Sequence, residues 1–434
     1  MFDLASFGKA FGVLWIFFLT PSWLKFHIGL WLWRYTRTIV HSISHWTYKS
    51  KPRPKEPNYT PTDVTVVIPT IHNAPEELRP QLRSILDCKP YEMIMITTRD
   101  KETALRKLAK SLQSDTGAKV RVLCTDIANK RLQVCKALPE VTTKITIMAD
   151  DDDPKIGGVG TCQRVRRKRT ASWSHNVWNW LGAAYIERRN FETSATHNID
   201  GGTSCMSGRT GAYRSEILSH PDFLNAFQHE RWGKRILNAD DDNFVTRWLV
   251  NHQWKTWIQY EKECEIETTL ETGIKFLYQC ARWARSNWRS NWTSLVRERY
   301  VITQQPWCTY ALHLATFTSL AFIGDPLILL SLWWGTADWD PETRRHILLA
   351  EAAWMLFTKT IKLVGLWRRH PWDLPFYFVS VIFGYLHGLI KMYALFTLHV
   401  TSWGSRPDGD THDNLRMAPP SDHNESVLRQ LDGR

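Results

Sequence analysis

Residues 150–153 of this 434-residue chain are four consecutive aspartates, and residues 240–242 are three more. Carboxylates side by side repel, so each cluster needs a cation, hydrogen-bond donors or open water around it. A hard divalent cation suits oxygen ligands of this kind. A carboxylate can also take the proton of an attacking hydroxyl, which is general-base chemistry. The bland alternatives are a solvated acidic loop for either cluster and, for Asp240, a cap on the helix that follows. A calcium loop is excluded because the D-x-[DN]-x-[DN]-G spacing is absent.

The elements that must hold these groups can be read on either side of them. Apolar runs at 64–68, 93–96, 120–123 and 145–148 recur with helical stretches between them. Strands alternating with helices predict a mostly parallel sheet, and such sheets bind ligands beyond the carboxyl ends of their strands. "IPTIHN" (68–73) and the aspartates at 150–153 both fall at such ends. Further stretches with small, cationic or flat side chains are "NKR" (129–131), "GGTSCMSGRTGAYR" (201–214), "QCARWARSNWRSNW" (279–292) and "TSWGSR" (401–406).

The formal charge is +12, from 55 Lys and Arg against 43 Asp and Glu. That balance suits an anionic membrane surface or a phosphate-bearing ligand. Nucleic acid is excluded as a partner because no finger, RNP or basic-zipper pattern accompanies the charge. The basic run at 164–169 is expected to be a solvated face or a lipid contact. Eight cysteines without C-x-x-C pairs predict neither zinc nor a disulfide framework.

Membrane-spanning segments are expected at 13–33, 307–334 and 346–367, with 373–399 lying along the interface because it carries Pro375, Gly384, His387, Gly388 and Lys391. The cationic residues that follow the first span place the central region in the cytosol. The expected organisation is a transmembrane helix and basic linker (1–56), a catalytic domain (57–275), amphipathic interface helices (276–305), two transmembrane helices (306–367), interfacial helices (368–400), and a gating loop with a polar tail (401–434).

Taken in order, the strand-end loop, D-x-D, S-G-x-x-G-x-Y-R, second acidic cluster, Q-x-x-R-W and W-G-x-R resemble the membrane-embedded processive family-2 glycosyltransferases, nearest to hyaluronan synthases and fungal capsule-type polysaccharide synthases. The resemblance covers 64–406. It implies an α/β GT-A (Rossmann-like) domain facing the cytosol, combined with transmembrane and interfacial helices in a multi-pass plasma-membrane protein. It further implies a UDP-sugar donor, a polysaccharide acceptor, the lipid bilayer as partner and Mn²⁺ or Mg²⁺ as cofactor. Residue by residue, Asp150 and Asp152 align with the metal-binding D-x-D, although Asp153 stands where the family is usually apolar. Asp241 aligns with the base, and Asp240 is the alternative. Pro69, Thr70, Lys130, Asp150, Gln279, Arg282, Trp403 and Arg406 fall at donor-binding positions. Asp100 is the candidate for uracil, since Thr97 and Thr98 occupy the usual acidic position. Cys205, Ser207, Gly208 and Trp283 border the acceptor. Two rival readings are a non-processive transferase making a glycolipid and a catalytically silent metal-binding membrane module.

Overall fold

The computed structural model describes residues 22–52, 55–146, 156–167, 170–209 and 211–401. Its centre is a seven-stranded sheet built from β1 (Val64–Pro69), β2 (Glu92–Thr98), β3 (Val120–Thr125), β4 (Ile145–Thr146), β5 (Ile156–Thr161), β6 (Gly211–Arg214) and β7 (Lys255–Gln259). The spatial order is β7-β5-β6-β4-β1-β2-β3. Every neighbouring pair is parallel except the two made by β6, which runs antiparallel to β4 and β5.

β2 is buried along its whole length, and the alternation of a strand divides its side chains between two cores. Met93 and Met95 face α2 (Arg79–Leu86) and α3 (Glu102–Thr116), where they meet Leu82, Leu86, Leu105, Leu108 and Leu112. Ile94 and Ile96 face the opposite side, against Ala137 of α4 (Lys130–Ala137). Each such side chain stabilises the fold by roughly 1.5–3 kcal/mol. The result is a rigid platform, with β1 delivering Pro69 and Thr70 to its carboxyl edge, where the Thr70 amide donates to the Ile96 carbonyl at 2.8 Å.

The remaining helices enclose the other half of the molecule. α5 (Trp173–Asp200) starts where the Ser172 hydroxyl accepts from the His175 amide at 3.3 Å, and it ends at Gly201, φ 71°. α6 (Pro221–His229) and α7 (Asp241–Asn251) pack on one another through Phe223, Phe227 and Phe244. α8 (Ile274–Trp292) runs beside α11 (Tyr377–Phe396), while α1 (Trp23–Thr47) packs against α5 and α9 (Ala321–Gly335), and α9 also meets α10 (Pro341–Ile361).

This region departs from the sequence expectation. The expected span at 307–334 is two helical pieces, Pro306–Thr318 and Ala321–Gly335, bent by 90°, which together are long and apolar enough for a broken span or a re-entrant loop. α10 occupies most of 346–367 but carries Arg344, Arg345, Glu351 and Lys359. Among the described residues, the single helix long and apolar enough to cross a membrane is Pro371–Phe396, the segment expected to lie along the interface. The reason is facial. His387, Gly388 and Lys391 line an internal cavity, whereas the outer face presents Phe378, Ile382 and Phe396, each about 70% exposed. Of the expected span at 13–33, residues 13–21 lie outside the described residues, and the described remainder continues as helix to Thr47. The basic run also differs: Arg164 pairs with Glu187 and Glu265, Arg166 with Glu267, and Arg167 with Asp373. These arginines tie β-structure to helices, and Lys168 and Arg169 lie outside the described residues.

Glycine in β5 sets how closely α7 can approach the sheet. A Cβ on Gly157 would stand 2.8 Å from both Leu249 Cδ2 and Trp254 Cβ, and the second of these moves only with its backbone. Gly157→Val is therefore expected to cost about 1–3 kcal/mol through overpacking. Thermal unfolding should shift several degrees lower, and an unchanged midpoint would show that α7 is not seated by this contact.

Candidate functional site

The loop before α7 is built around a residue in an unfavoured conformation. Asp240 has φ 68° and ψ 24°, a left-handed backbone that costs a non-glycine residue roughly 1–2 kcal/mol. Its side chain makes no cap hydrogen bond, contrary to the capping alternative. Instead the buried carboxylate accepts two bonds from Arg289, Nε at 2.7 Å and Nη2 at 3.0 Å, and one from the Ser286 hydroxyl. Burial pushes its pKa up, but Arg289, Ser286 and Arg131 together offset this and the net shift is downward. Arg289 also donates to the Val400 carbonyl at 2.9 Å and the Leu398 carbonyl at 3.2 Å, and the Ala239 amide donates to the Thr401 carbonyl at 3.4 Å. The chain that leads into residues 402–406 thus runs beside the acidic cluster.

With Asp240 engaged, the three aspartates have separate partners. Asp241 forms an ion pair with Lys130, and Asp242 accepts from the Gly208 amide at 3.1 Å. Burial raises the Asp241 carboxyl, but the Lys130 ammonium together with Arg131 and a backbone amide holds the group below the ordinary carboxylate value. Asp241 is also the first residue of α7, where the helix dipole favours negative charge.

The neighbouring "NKR" stretch aims Lys130 at this carboxylate. Asn129 caps α4 by accepting from the Leu132 amide at 3.1 Å and donates to Asn238 at 2.7 Å, joining the two loops. Arg131, fully buried, donates to the Phe227 and Ala239 carbonyls, each at 2.8 Å, and pairs with Glu230 at 2.6 Å.

The acidic loop and Lys130 border one cavity of about 1950 Å³. Pro69, Thr70, Lys130, Cys205, Ser207, Gly208, Asp240, Asp241, Gln279, Arg282 and Trp283 all border it. Asp100 does not; it sits on an exposed turn, Arg99–Lys101. Asp150, Asp152, Trp403 and Arg406 lie outside the described residues. Trp283 stacks on Tyr185, ring centroids 5.0 Å apart at 29°, and the Arg209 guanidinium lies 5.3 Å from its ring centroid. The buried Gln279 Oε1 accepts no hydrogen bond among the described residues. Burial pushes the Cys205 thiol well up, so it is neutral and acts as wall.

Among the described residues, no group of three His, Cys, Asp or Glu side chains is disposed to hold a metal. The acidic tetrad at 150–153 offers oxygen donors only, a set that fits Mg²⁺ or Mn²⁺ and not a softer ion.

Arg289, Asn238, Arg209 and Tyr185 were not anticipated from sequence. Arg289 had a usable signal: it follows Arg282 by seven residues, two turns along one helix face. The contacts of the other three come from distant segments.

A family model for "Glycosyltransferase like family 2" matches residues 61–286. A type 2 glycosyltransferase of Gibberella zeae is 68% identical over 414 residues, 92% of this chain and 78% of that protein. One from Pyricularia oryzae is 63% identical over 423 residues, 94% of this chain and 87% of its own length. Among solved structures, a mannosyltransferase from Pyrobaculum calidifontis in complex with GDP-Man and Mn²⁺ has a TM-score of 0.48 and 16% identity, covering 88% of this chain and 99% of that one. By the family model and by its relatives, the chain belongs to the family 2 glycosyltransferases.

Proposed function

We propose that the protein is an inverting, processive transferase that moves sugar from a UDP-sugar onto a growing β-linked polysaccharide and passes the product across a membrane. The observation that carries this reading is the Lys130–Asp241 ion pair on the wall of a cavity that also holds Thr70, Gln279, Arg282 and Trp283. The acceptor hydroxyl attacks the anomeric carbon in line as its proton passes to a carboxylate oxygen of Asp241. The bond to the diphosphate oxygen breaks and UDP leaves. No covalent enzyme intermediate is needed, only a base and positioning.

Pro69 and Thr70 lie along the nucleotide, and Lys130, Gln279 and Arg282 contact the diphosphate, the arginine through its two-pronged donor geometry. Asp100 keeps its assignment to uracil only if the turn that carries it moves inward. Asp150 and Asp152 would hold Mn²⁺ or Mg²⁺, which when bound neutralises the charge of the leaving UDP. Trp283, backed by Tyr185, stacks under the acceptor sugar, which Cys205, Ser207 and Gly208 border. Trp403 and Arg406 close over the bound donor and exclude water. The outward apolar face of Pro371–Phe396 meets lipid, with the catalytic half in the cytosol at the plasma membrane.

Asp241→Asn should leave UDP binding intact while lowering transfer about 10²–10⁴-fold; transfer at the wild-type rate would remove Asp241 from the mechanism. Lys130→Met takes away the cation that depresses the Asp241 carboxyl, so its pKa rises. The acid limb of the pH profile of kcat/KM should move to higher pH, and a limb that stays or moves down would break the link between the two residues. A cysteine at Ser405 should react with a membrane-impermeant reagent only once the cytosolic face is opened. Labelling on sealed cells would reverse the topology. Trp403→Ala should reduce polymer synthesis far more than UDP binding; equal losses would leave Trp403 as a binding contact without a closing role.

A further inference from the structure

Beyond the catalytic carboxylate, the same cavity extends between α1, α5, α10 and α11 to Arg37, Arg188, Lys362 and Lys391. The carboxylate set among these four cations is Glu192. It forms an ion pair with Lys362 and interacts electrostatically with Arg37. Lys362 in turn is opposed by Arg37 and Arg188, and Lys391 by Arg37. Arg188 donates to the Ser380 hydroxyl and Arg37 to the Ala311 carbonyl at 3.0 Å, both neutral acceptors. Among the described residues, neither Arg188 nor Lys391 forms an ion pair with a carboxylate. The neighbouring set is differently balanced. There Asp325 accepts from Arg34, Lys359 and the Tyr385 hydroxyl, with Glu351 close to Arg34.

Four cations around one carboxylate on the wall of this cavity leave an excess positive charge of about three, which a bound anion would offset. A neutral glucan would gain nothing from that charge, whereas a phosphate or carboxylate would meet planar guanidinium forks matched to its oxygens. We propose that this cluster is an anion subsite for the acceptor, and that the acceptor carries a carboxylate or phosphate group which Arg188 and Lys391 bind directly, with Arg37 and the Lys362–Glu192 pair framing them. The inference rests on the transferase reading only in calling the ligand an acceptor. Two sources share this chemistry: a uronic-acid unit in the saccharide and an isoprenyl phosphate.

The test uses the full chain purified in detergent and measures binding of a uronic-acid oligosaccharide and of a short isoprenyl phosphate. Each is compared with its uncharged twin, the carboxyl-reduced oligosaccharide and the free isoprenol. One anionic probe should bind at least tenfold more tightly than its twin, and which probe does so identifies the source. Arg188→Gln with Lys391→Met should abolish the preference, and Arg188→Lys should keep most of it. Equal binding of both pairs to the wild-type protein, or a preference that survives the double substitution, overturns the subsite. Hydrolysis of UDP-sugars is followed in the same samples. Turnover without charge preference rejects the subsite alone, whereas charge preference without turnover of any donor keeps the subsite and rejects the transferase reading.

Discussion

The ion pair between Asp240 and Arg289 is the constraint on which the site depends. A left-handed aspartate is held in place by two charge-assisted bonds and a hydroxyl, and removing either partner would leave a buried charge uncompensated, at about 3–5 kcal/mol. Directly after this turn α7 begins at Asp241, which borders the cavity, and Asp242 reaches the Gly208 amide. The same arginine gathers the carbonyls of 398 and 400, so one side chain couples the acidic loop, α8 and the segment leading to residues 402–406.

Charge is distributed unevenly along the cavity that results. Near the sheet edge, Lys130 on the cavity wall is matched by Asp241. Matched groups give a precise geometry with little net field. Toward Arg188 and Lys391, cations exceed carboxylates, with Glu192 the one carboxylate among four cations.

The sheet was legible in the sequence because its strands are short apolar runs, and β1, β2 and β3 begin within a residue or two of the runs at 64–68, 93–96 and 120–123. The antiparallel β6 was not, since "GAYR" lacks a strand-like run and its place between β4 and β5 depends on long-range pairing. The acidic triplet was legible as a cluster, and it borders the cavity, but its separate partners were not, because Arg289, Lys130 and Gly208 come from three separate segments. The segment at 373–399 differs from its interfacial expectation for a physical reason. His387 and Lys391 count as polar in any linear window, yet they face an internal cavity, so the helix that holds them keeps an apolar outer face. Composition along the chain cannot distinguish a polar residue facing a cavity from one facing lipid.

The central claim is that Asp240 acts only through Arg289, as a support for Asp241, and takes no proton itself. A double-mutant cycle on the transfer rate with Asp240→Asn and Arg289→Met tests it most directly. The account predicts strong non-additivity, with the double variant transferring no more slowly than the worse single variant. Losses that multiply, so that each substitution costs the same whether or not the other is present, would show Asp240 contributing independently of Arg289 and would contradict it.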